Sequence, residues 1–200
     1  MNAVVSSIKA VIFDMDGTIT RPFFDFDQIR EEIGLERNAG PILEEMEKMT
    51  PQQRLDAEQI LHRYEQKAIE QSELNDGAEE TLAALRKAKI HIGVLTRNQK
   101  DNVYAIARKH NLHFDAVVGR EDGPVKPDEF GVLYLCRQFG VKPQETMLVG
   151  DYLFDLLCAK KAGAYAVLLA NHEKADEFAE HADFCIKNIS QVLEIIQFCR

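Results

Sequence analysis

An alternation of helical and strand patterns runs through the chain from residue 78 onward, and it restricts the possible folds more than any other feature. Short apolar runs predict strands, and amphipathic stretches of helical period predict helices. The predicted strands after residue 78 are 91–95, 116–118, 146–149, 164–169 and 184–186. The predicted helices are 78–89, 101–111, part of 127–139, 154–162, 174–181 and 189–199. Because strands that alternate with helices form parallel sheets covered on both faces, we predict an α/β fold with a three-layer parallel sheet.

A first strand, Ala10 to Phe13, ends at two carboxylates, Asp14 and Asp16, which Gly17 follows. Side chains two apart on an extended chain point the same way, although the turn that begins here can redirect the second one. Open α/β sheets bind their ligands just beyond the carboxyl ends of the strands. Two ionised carboxylates in close contact repel, so one must share a proton or both must hold a cation, and Mg2+ prefers such oxygen ligands. The segment taken alone also allows a turn with two solvated Asp side chains.

An insertion separates this first strand from the rest of the sheet. Residues 22–75 are helical in period and contain no convincing strand. We therefore predict an α/β core domain made of 1–20 and 76–200 and a helical cap domain made of 21–75. The two links between them are candidate hinges, and a rigid helical decoration is the alternative.

Composition excludes several classes of protein. A net charge of −9 over 200 residues lacks the basic surface that a nucleic-acid polymer requires, although a local cationic pocket for a small phosphorylated compound is compatible with it. No stretch approaches the roughly 18 apolar residues of a membrane span, and the N-terminal apolar run ends in the Asp pair rather than in a signal-peptide cleavage site. Four widely spaced cysteines favour reduced, mostly buried thiols in a cytoplasmic protein. They are Cys136, Cys158, Cys185 and Cys199.

Polar residues follow three more of the predicted strands. Thr96 follows the second strand, a loop after the third strand contains Lys126, and Asp151 and Asp155 follow the fourth. Asp151 and Asp155 are four residues apart, so they share one face if the helix starts promptly. Each residue also has an ordinary structural role, because Thr bonds locally, Lys is commonly solvated in a loop, and Asp often caps a helix.

In this order, the four segments resemble the motifs of the haloacid dehalogenase superfamily. The run that begins Asp14-Met15-Asp16-Gly17-Thr18-Ile19 resembles the DxDGT(L/I) motif of its phosphatases. Thr96 resembles the Ser or Thr that bonds the phosphoryl group, and Lys126 resembles the lysine before a proline that contacts phosphate and nucleophile. The run Gly150-Asp151-Tyr152-Leu153-Phe154-Asp155 matches the GDxxxD metal motif.

The resemblance implies a Rossmann-like core with a small helical cap of the C1 type, as in phosphoglycolate phosphatases and β-phosphoglucomutases. Two positions depart from the family pattern. Tyr152 stands where many relatives have Ser, and Asn75-Asp76-Gly77 replaces the frequent Pro-Gly at the second hinge.

The chemistry that the resemblance implies is Mg2+-dependent hydrolysis of a small phosphomonoester, as in phosphoglycolate phosphatases. Asp14 would attack phosphorus and carry an aspartyl-phosphate, and Asp16 would act as general acid and then general base. The implied Mg2+ ligands are the carboxylates of Asp14 and Asp151, the backbone carbonyl of Asp16, and Asp155 directly or through water. The implied phosphate-binding residues are Thr96, Arg97, Asn98 and Lys126.

Other functions stay open or are excluded at this point. Asp16 favours phosphoryl transfer, because dehalogenases of the superfamily lack this second Asp. A phosphomutase of the β-phosphoglucomutase type stays open, as does a non-catalytic phosphate-responsive module. The four chemically intact motifs argue against a pseudoenzyme whose cap binds a protein. A P-loop enzyme is excluded because no GxxxxGK(S/T) motif occurs. We expect a monomer or dimer that binds a small phosphorylated metabolite, with cap-side contacts to it from Arg21, Phe24 and Arg54.

Overall fold

The computed structural model, which describes residues 7–197, contains a six-stranded sheet. Its strands are β1 (Ala10–Phe13), β2 (His91–Leu95), β3 (Ala116–Val118), β4 (Thr146–Gly150), β5 (Tyr165–Leu169) and β6 (Phe184–Ile186). They lie in the order β3-β2-β1-β4-β5-β6, and every neighbouring pair is parallel. The predicted α/β fold is confirmed, and each predicted strand differs from the observed one by at most one residue at either end.

The order of the strands places β1 and β4 side by side in the middle of the sheet. Phe13 lies opposite Val149 in the register of this pair. Ile12 and Leu148 are completely buried, as expected for strands covered on both faces. Because the two strands are parallel and in step, the residues that follow them emerge together at one edge of the sheet.

The helices of the described chain are α1 (Phe26–Glu32), α2 (Ile42–Glu47), α3 (Pro51–Gln71), α4 (Ala78–Lys87), α5 (Lys100–Lys109), α6 (Phe130–Phe139), α7 (Leu153–Ala162), α8 (Ala175–Phe178) and α9 (Gln191–Gln197). The helix predicted at 174–181 is α8 followed by a short 3-10 turn. The helix predicted at 189–199 is observed as α9, and the last residues of that prediction lie outside the described part. Within 7–197, no helix combines the length and the apolar composition that crossing a membrane requires.

Residues Phe23–Ser72 form one compact unit, the helical unit, and the rest of the described chain forms a second, the core unit. The helical unit has its own apolar centre, contributed by all three of its helices. Its buried members are Ile29, Ile42, Met46, Ala57 and Leu61. Helix α3 starts with a capping box, in which the Thr50 hydroxyl accepts from the Gln53 N–H and the Gln53 side chain accepts from the Thr50 N–H.

The core unit contains the two segments by which the chain leaves it and returns to it. Thr20 and Leu74 form an antiparallel bridge, and the Arg21 N–H donates to the Glu73 carbonyl at 2.9 Å. Residues 21–22 and 73–75, which the sequence assigned to the cap, therefore group with the core unit.

The described cysteines are free thiols with different surroundings. Cys136 and Cys158 are buried as expected, whereas Cys185 is exposed, and Cys199 lies outside the described residues. Burial raises the pKa of the Cys158 thiol to about 12, so this thiol stays protonated near neutral pH.

Candidate active site

Three carboxylates meet where β1 and β4 end. Asp14 follows β1, Asp151 follows β4, and Asp155 lies in the first turn of α7. One carboxylate oxygen of each lies within 4.8 Å of the others, and we call these three residues the acidic cluster. Burial raises the pKa of Asp151 well above its ordinary value, and repulsion from Asp14 and Asp155 raises it further. A divalent cation would remove this penalty, and an all-oxygen donor set of this kind suits Mg2+.

Lys126 places its ammonium inside this cluster. Its Nζ donates to Asp14 Oδ1 at 2.6 Å and to Asp155 Oδ1 at 2.5 Å. The side chain is only 3% exposed. Burial by itself would lower the pKa of Lys126, but Asp14 and Asp155 outweigh it and raise that pKa above its ordinary value. Lys126 therefore carries a permanent positive charge that offsets part of the negative charge of the cluster.

Asp155 is held by two donors in a nearly inaccessible position. Besides Lys126, the Tyr152 N–H donates to Asp155 Oδ2 at 3.2 Å. Burial raises the pKa of Asp155 to about 6, although Lys126 acts in the opposite direction. Gly150 is required beside it, because a Cβ at this position would lie 2.2 Å from Asp155 Cγ.

Asp16, the second carboxylate of the first motif, contacts the segment after β2. Its Oδ2 accepts from Asn98 Nδ2 at 3.3 Å, and its carboxylate is not a member of the cluster. Gly17 has a φ of +91°, a conformation that favours glycine, and a Cβ there would lie 2.2 Å from Asp151 Oδ2. The two carboxylates of the first motif therefore have separate surroundings, which suits two separate chemical roles.

The segment after β2 brings three of the predicted phosphate-binding residues to this region. The Thr96 hydroxyl accepts from the Asn98 N–H at 3.0 Å, and Asn98 Oδ1 accepts from Asn102 Nδ2 at 2.7 Å. Arg97 has a different orientation, because its guanidinium donates to the Lys126 carbonyl and lies 4.9 Å from the centre of the Phe154 ring. Arg97 thus braces the Lys126 loop in this structure, and phosphate binding by Arg97 stays a prediction.

The predicted substrate contacts have ordinary partners within their own units. Arg21 pairs with Asp76 at 2.8 Å in the core unit. In the helical unit, Phe24 packs against the apolar centre and Arg54 pairs with Glu58 at 3.0 Å. Their role in binding substrate stays a prediction.

Sequence reasoning missed three side chains that hold the loops of the site. Asn75 Nδ2 lies within hydrogen-bond distance of the carbonyls of Gly17, Thr18 and Thr20, at 2.8–3.1 Å. Asn171 and His172 reach the site from beyond β5. In the sequence, Asn75 was recognisable only as a turn residue. Asn171 and His172 belong to no motif, and only their position after a predicted strand could have indicated them.

Comparison with known proteins identifies the family of this chain. Residues 23–169 match the family model described as haloacid dehalogenase-like hydrolase. A haloacid dehalogenase-like hydrolase domain-containing protein of Arabidopsis thaliana is 30% identical, over 95% of this chain and 84% of its own. An uncharacterized hydrolase of Saccharomyces cerevisiae is 31% identical, over 95% of this chain and 91% of its own. A phosphoglycolate phosphatase of Chromobacterium violaceum is 25% identical, over 95% of this chain and 97% of its own.

Solved structures show the same fold. A hydrolase from Pseudomonas syringae superposes with a TM-score of 0.79 at 19% identity, over 93% of this chain and 96% of its own. A β-phosphoglucomutase from Clostridium difficile superposes with a TM-score of 0.76 at 17% identity, over 95% of this chain and 97% of its own. At these identities the likeness extends to the architecture alone.

Proposed function

Because this chain belongs to the haloacid dehalogenase-like hydrolase family and is a phosphatase of that family, we propose that it hydrolyses a small phosphomonoester with Mg2+ through an aspartyl-phosphate on Asp14. The observation that carries the proposal is the contact of Lys126 Nζ with Asp14 Oδ1, inside a cluster of three carboxylates. This contact places a positive charge against the buried carboxylate that would act as the nucleophile.

The first chemical step uses Asp14 and Asp16 in different roles. A carboxylate oxygen of Asp14 forms a bond to phosphorus while the bond from phosphorus to the substrate oxygen breaks. Asp16, which accepts from Asn98 in the structure, gives a proton to the leaving alkoxide. The products of this step are the free alcohol and a phosphorylated Asp14.

The second step reverses the proton transfer. Asp16, now ionised, takes a proton from a water molecule whose oxygen attacks phosphorus. The bond from phosphorus to Asp14 breaks, which releases inorganic phosphate and restores the Asp14 carboxylate. Lys126 stays protonated through both steps and stabilises charge on the transferring oxygens.

The residues that would hold Mg2+ are the acidic cluster and the backbone carbonyl of Asp16. When bound, the ion would supply charge neutralisation for the nucleophile and the phosphoryl oxygens. Thr96, Arg97, Asn98 and Lys126 would bind the phosphoryl group, and Arg97 also donates to the Lys126 carbonyl.

Phosphoglycolate or a compound of similar size is the proposed substrate class. The support is the likeness to the Chromobacterium violaceum phosphoglycolate phosphatase over nearly the full length of both chains. We further propose that Arg21, Phe24 and Arg54 contact the organic part of the substrate, and that the protein acts as a cytoplasmic monomer or dimer. The likeness to a β-phosphoglucomutase reflects the shared fold and adds no second function.

Hydrolysis of an aryl phosphate and of a panel of small phosphometabolites, with Mg2+ or with EDTA, tests the proposal. We expect activity that requires Mg2+ and that is lost in Asp14→Asn. Asp176→Asn, an exposed change on α8, is the matched control and should keep full activity. Wild-type protein that hydrolyses nothing and binds no Mg2+ would contradict the proposal.

A further inference from the structure

Two adjacent residues in the loop after β5 bond to the backbone of both acidic loops. Asn171 Nδ2 donates to the Gly17 carbonyl at 2.6 Å, and His172 Nε2 lies 2.6 Å from the Asp151 carbonyl. Gly17 belongs to the loop after β1, and Asp151 belongs to the loop after β4. A third loop therefore fixes the position of the other two.

The hydrogen bonds of His172 define its tautomer. A carbonyl oxygen only accepts, so Nε2 must carry the proton that is donated to Asp151. The Lys174 N–H donates to His172 Nδ1 at 3.1 Å, so Nδ1 must be unprotonated. Both bonds require the same neutral imidazole, and the ring also packs against Phe178 at 5.6 Å between ring centres. His172 is thus oriented as a donor to one specific carbonyl.

The separation of these two loops sets the geometry of the acidic cluster. Gly17 and the Asp151 carboxylate are so close that a Cβ on Gly17 would overlap Oδ2 at 2.2 Å. The Thr18 hydroxyl also lies 3.5 Å from Asp151 Oδ1. Gly17 and Thr18 belong to the same loop as Asp14, so the position of this loop beside Asp151 bears on the geometry of the acidic cluster. Donors that orient metal-binding carboxylates commonly affect metal affinity about 10- to 100-fold.

We propose that Asn171 and His172 are positioning residues that hold the two acidic loops at the separation required for binding a divalent cation. This inference rests on the proposed function, because it takes the acidic cluster to be the Mg2+ site. Both side chains bond to backbone carbonyls, so we infer that they act through Asp151 and the turn at Gly17.

Calorimetric titration of metal-free protein with Mg2+ alone tests the inference without using activity. We expect His172→Ala and Asn171→Ala each to weaken Mg2+ binding by about tenfold or more. His172→Gln should recover most of the affinity, because its amide can donate to the same carbonyl. Glu173→Ala, an exposed change in the same loop, should bind Mg2+ like wild type. Melting in EDTA should be nearly the same for all these variants.

Two results would overturn the inference and are distinguishable from failure of the proposed function. Wild-type Mg2+ affinity in both alanine variants would overturn the inference and leave the proposed function standing. Weak binding that accompanies a lower melting temperature in EDTA, and that His172→Gln fails to restore, would show a role in folding only and would also overturn it. No Mg2+ binding by the wild-type protein would overturn the proposed function and the inference together.

Discussion

Lys126 and Asp14 are 112 positions apart in the chain, yet Lys126 Nζ donates to Asp14 Oδ1 at 2.6 Å. Lys126 also contacts Asp155, so one ammonium serves two carboxylates that come from different strand ends. Because the ammonium is almost completely buried, its removal would leave these carboxylates without a compensating charge.

Lys126→Met should therefore destabilise the metal-free protein as well as abolish hydrolysis. We expect a loss of about 3–5 kcal/mol in the free energy of unfolding at pH 8, measured by urea denaturation in EDTA. Lys160→Met is the control, because it breaks the exposed ion pair with Asp183 and should cost less than about 1 kcal/mol. Equal losses of unfolding free energy in the two variants would show that the buried contact stabilises the protein no more than the exposed ion pair does.

Asp16→Asn should affect substrates according to their leaving groups. An alkoxide leaves poorly without a proton, so the loss in kcat/KM for an alkyl phosphate should be about 10²- to 10⁴-fold. An aryl phosphate releases a stable phenoxide and should lose less in the first step. Steady-state kinetics on both substrates measure the difference. The same loss for both substrates would argue against Asp16 as the general acid.

Gly17→Ala should disrupt the acidic cluster through both space and backbone strain. The new Cβ would overlap the Asp151 carboxylate, and φ at this position is +91°. Gly140→Ala is the matched control in the same unit, because its φ of +66° is also positive but nothing lies within 4 Å of the added Cβ. We expect both variants to lose about 1 kcal/mol or more of stability, and only Gly17→Ala to lose Mg2+ affinity in a calorimetric titration. Retained Mg2+ binding in Gly17→Ala would show that Asp151 moves aside freely.

The stability of the metal-free protein should fall as the pH rises from about 4 to above 6. The pKa of Asp155 is about 6 in the folded protein and 3.8 as its ordinary value, so the folded state favours the protonated form. Protonation of Asp155 therefore stabilises the folded state fully below pH 3.8, and this stabilisation is lost as the pH rises through about 6. Its contribution to the free energy of unfolding is on the order of 3 kcal/mol, because each pKa unit corresponds to about 1.4 kcal/mol.

Mg2+ should reverse this trend, because it binds the ionised carboxylates. Melting curves between pH 4.5 and 8 should show that Mg2+ raises the melting temperature strongly at pH 8 and very little at pH 5. Asp155→Asn does not titrate and should show a shallower pH dependence in EDTA. A metal-free protein whose stability rises steadily through pH 6, with no difference in Asp155→Asn, would contradict this assignment.

Local patterns in the sequence predicted the strands and the residues at their ends. The apolar run before Asp14 indicated a buried strand, and the same reasoning placed Thr96 and Asp151 after their strands. These features are local, because burial on both faces requires consecutive apolar residues, and ligand-binding side chains follow where a strand stops.

The direction in which each side chain points depended on the tertiary structure. Asp14 and Asp16 are two residues apart, yet Asp14 accepts from Lys126 and Asp16 accepts from Asn98. Arg97 occupies a position beside the phosphate-binding residues, yet its guanidinium supports the Lys126 carbonyl. Contacts of this kind depend on backbone angles and on neighbours that are distant in sequence, which residue patterns do not encode.

Residue patterns alone predicted the parallel α/β architecture, the helical insertion and the identity of the acidic residues. The bridge from Lys126 to Asp14 and Asp155, and the bonds of Asn171 and His172 to the two acidic loops, became known from the folded chain. The reason is physical. The periodicity of a segment reflects which of its residues are buried. The loops after β1, β4 and β5 lie together because these strands are neighbours in the sheet. The order of the strands depends on the packing of the whole sheet, which no single segment encodes.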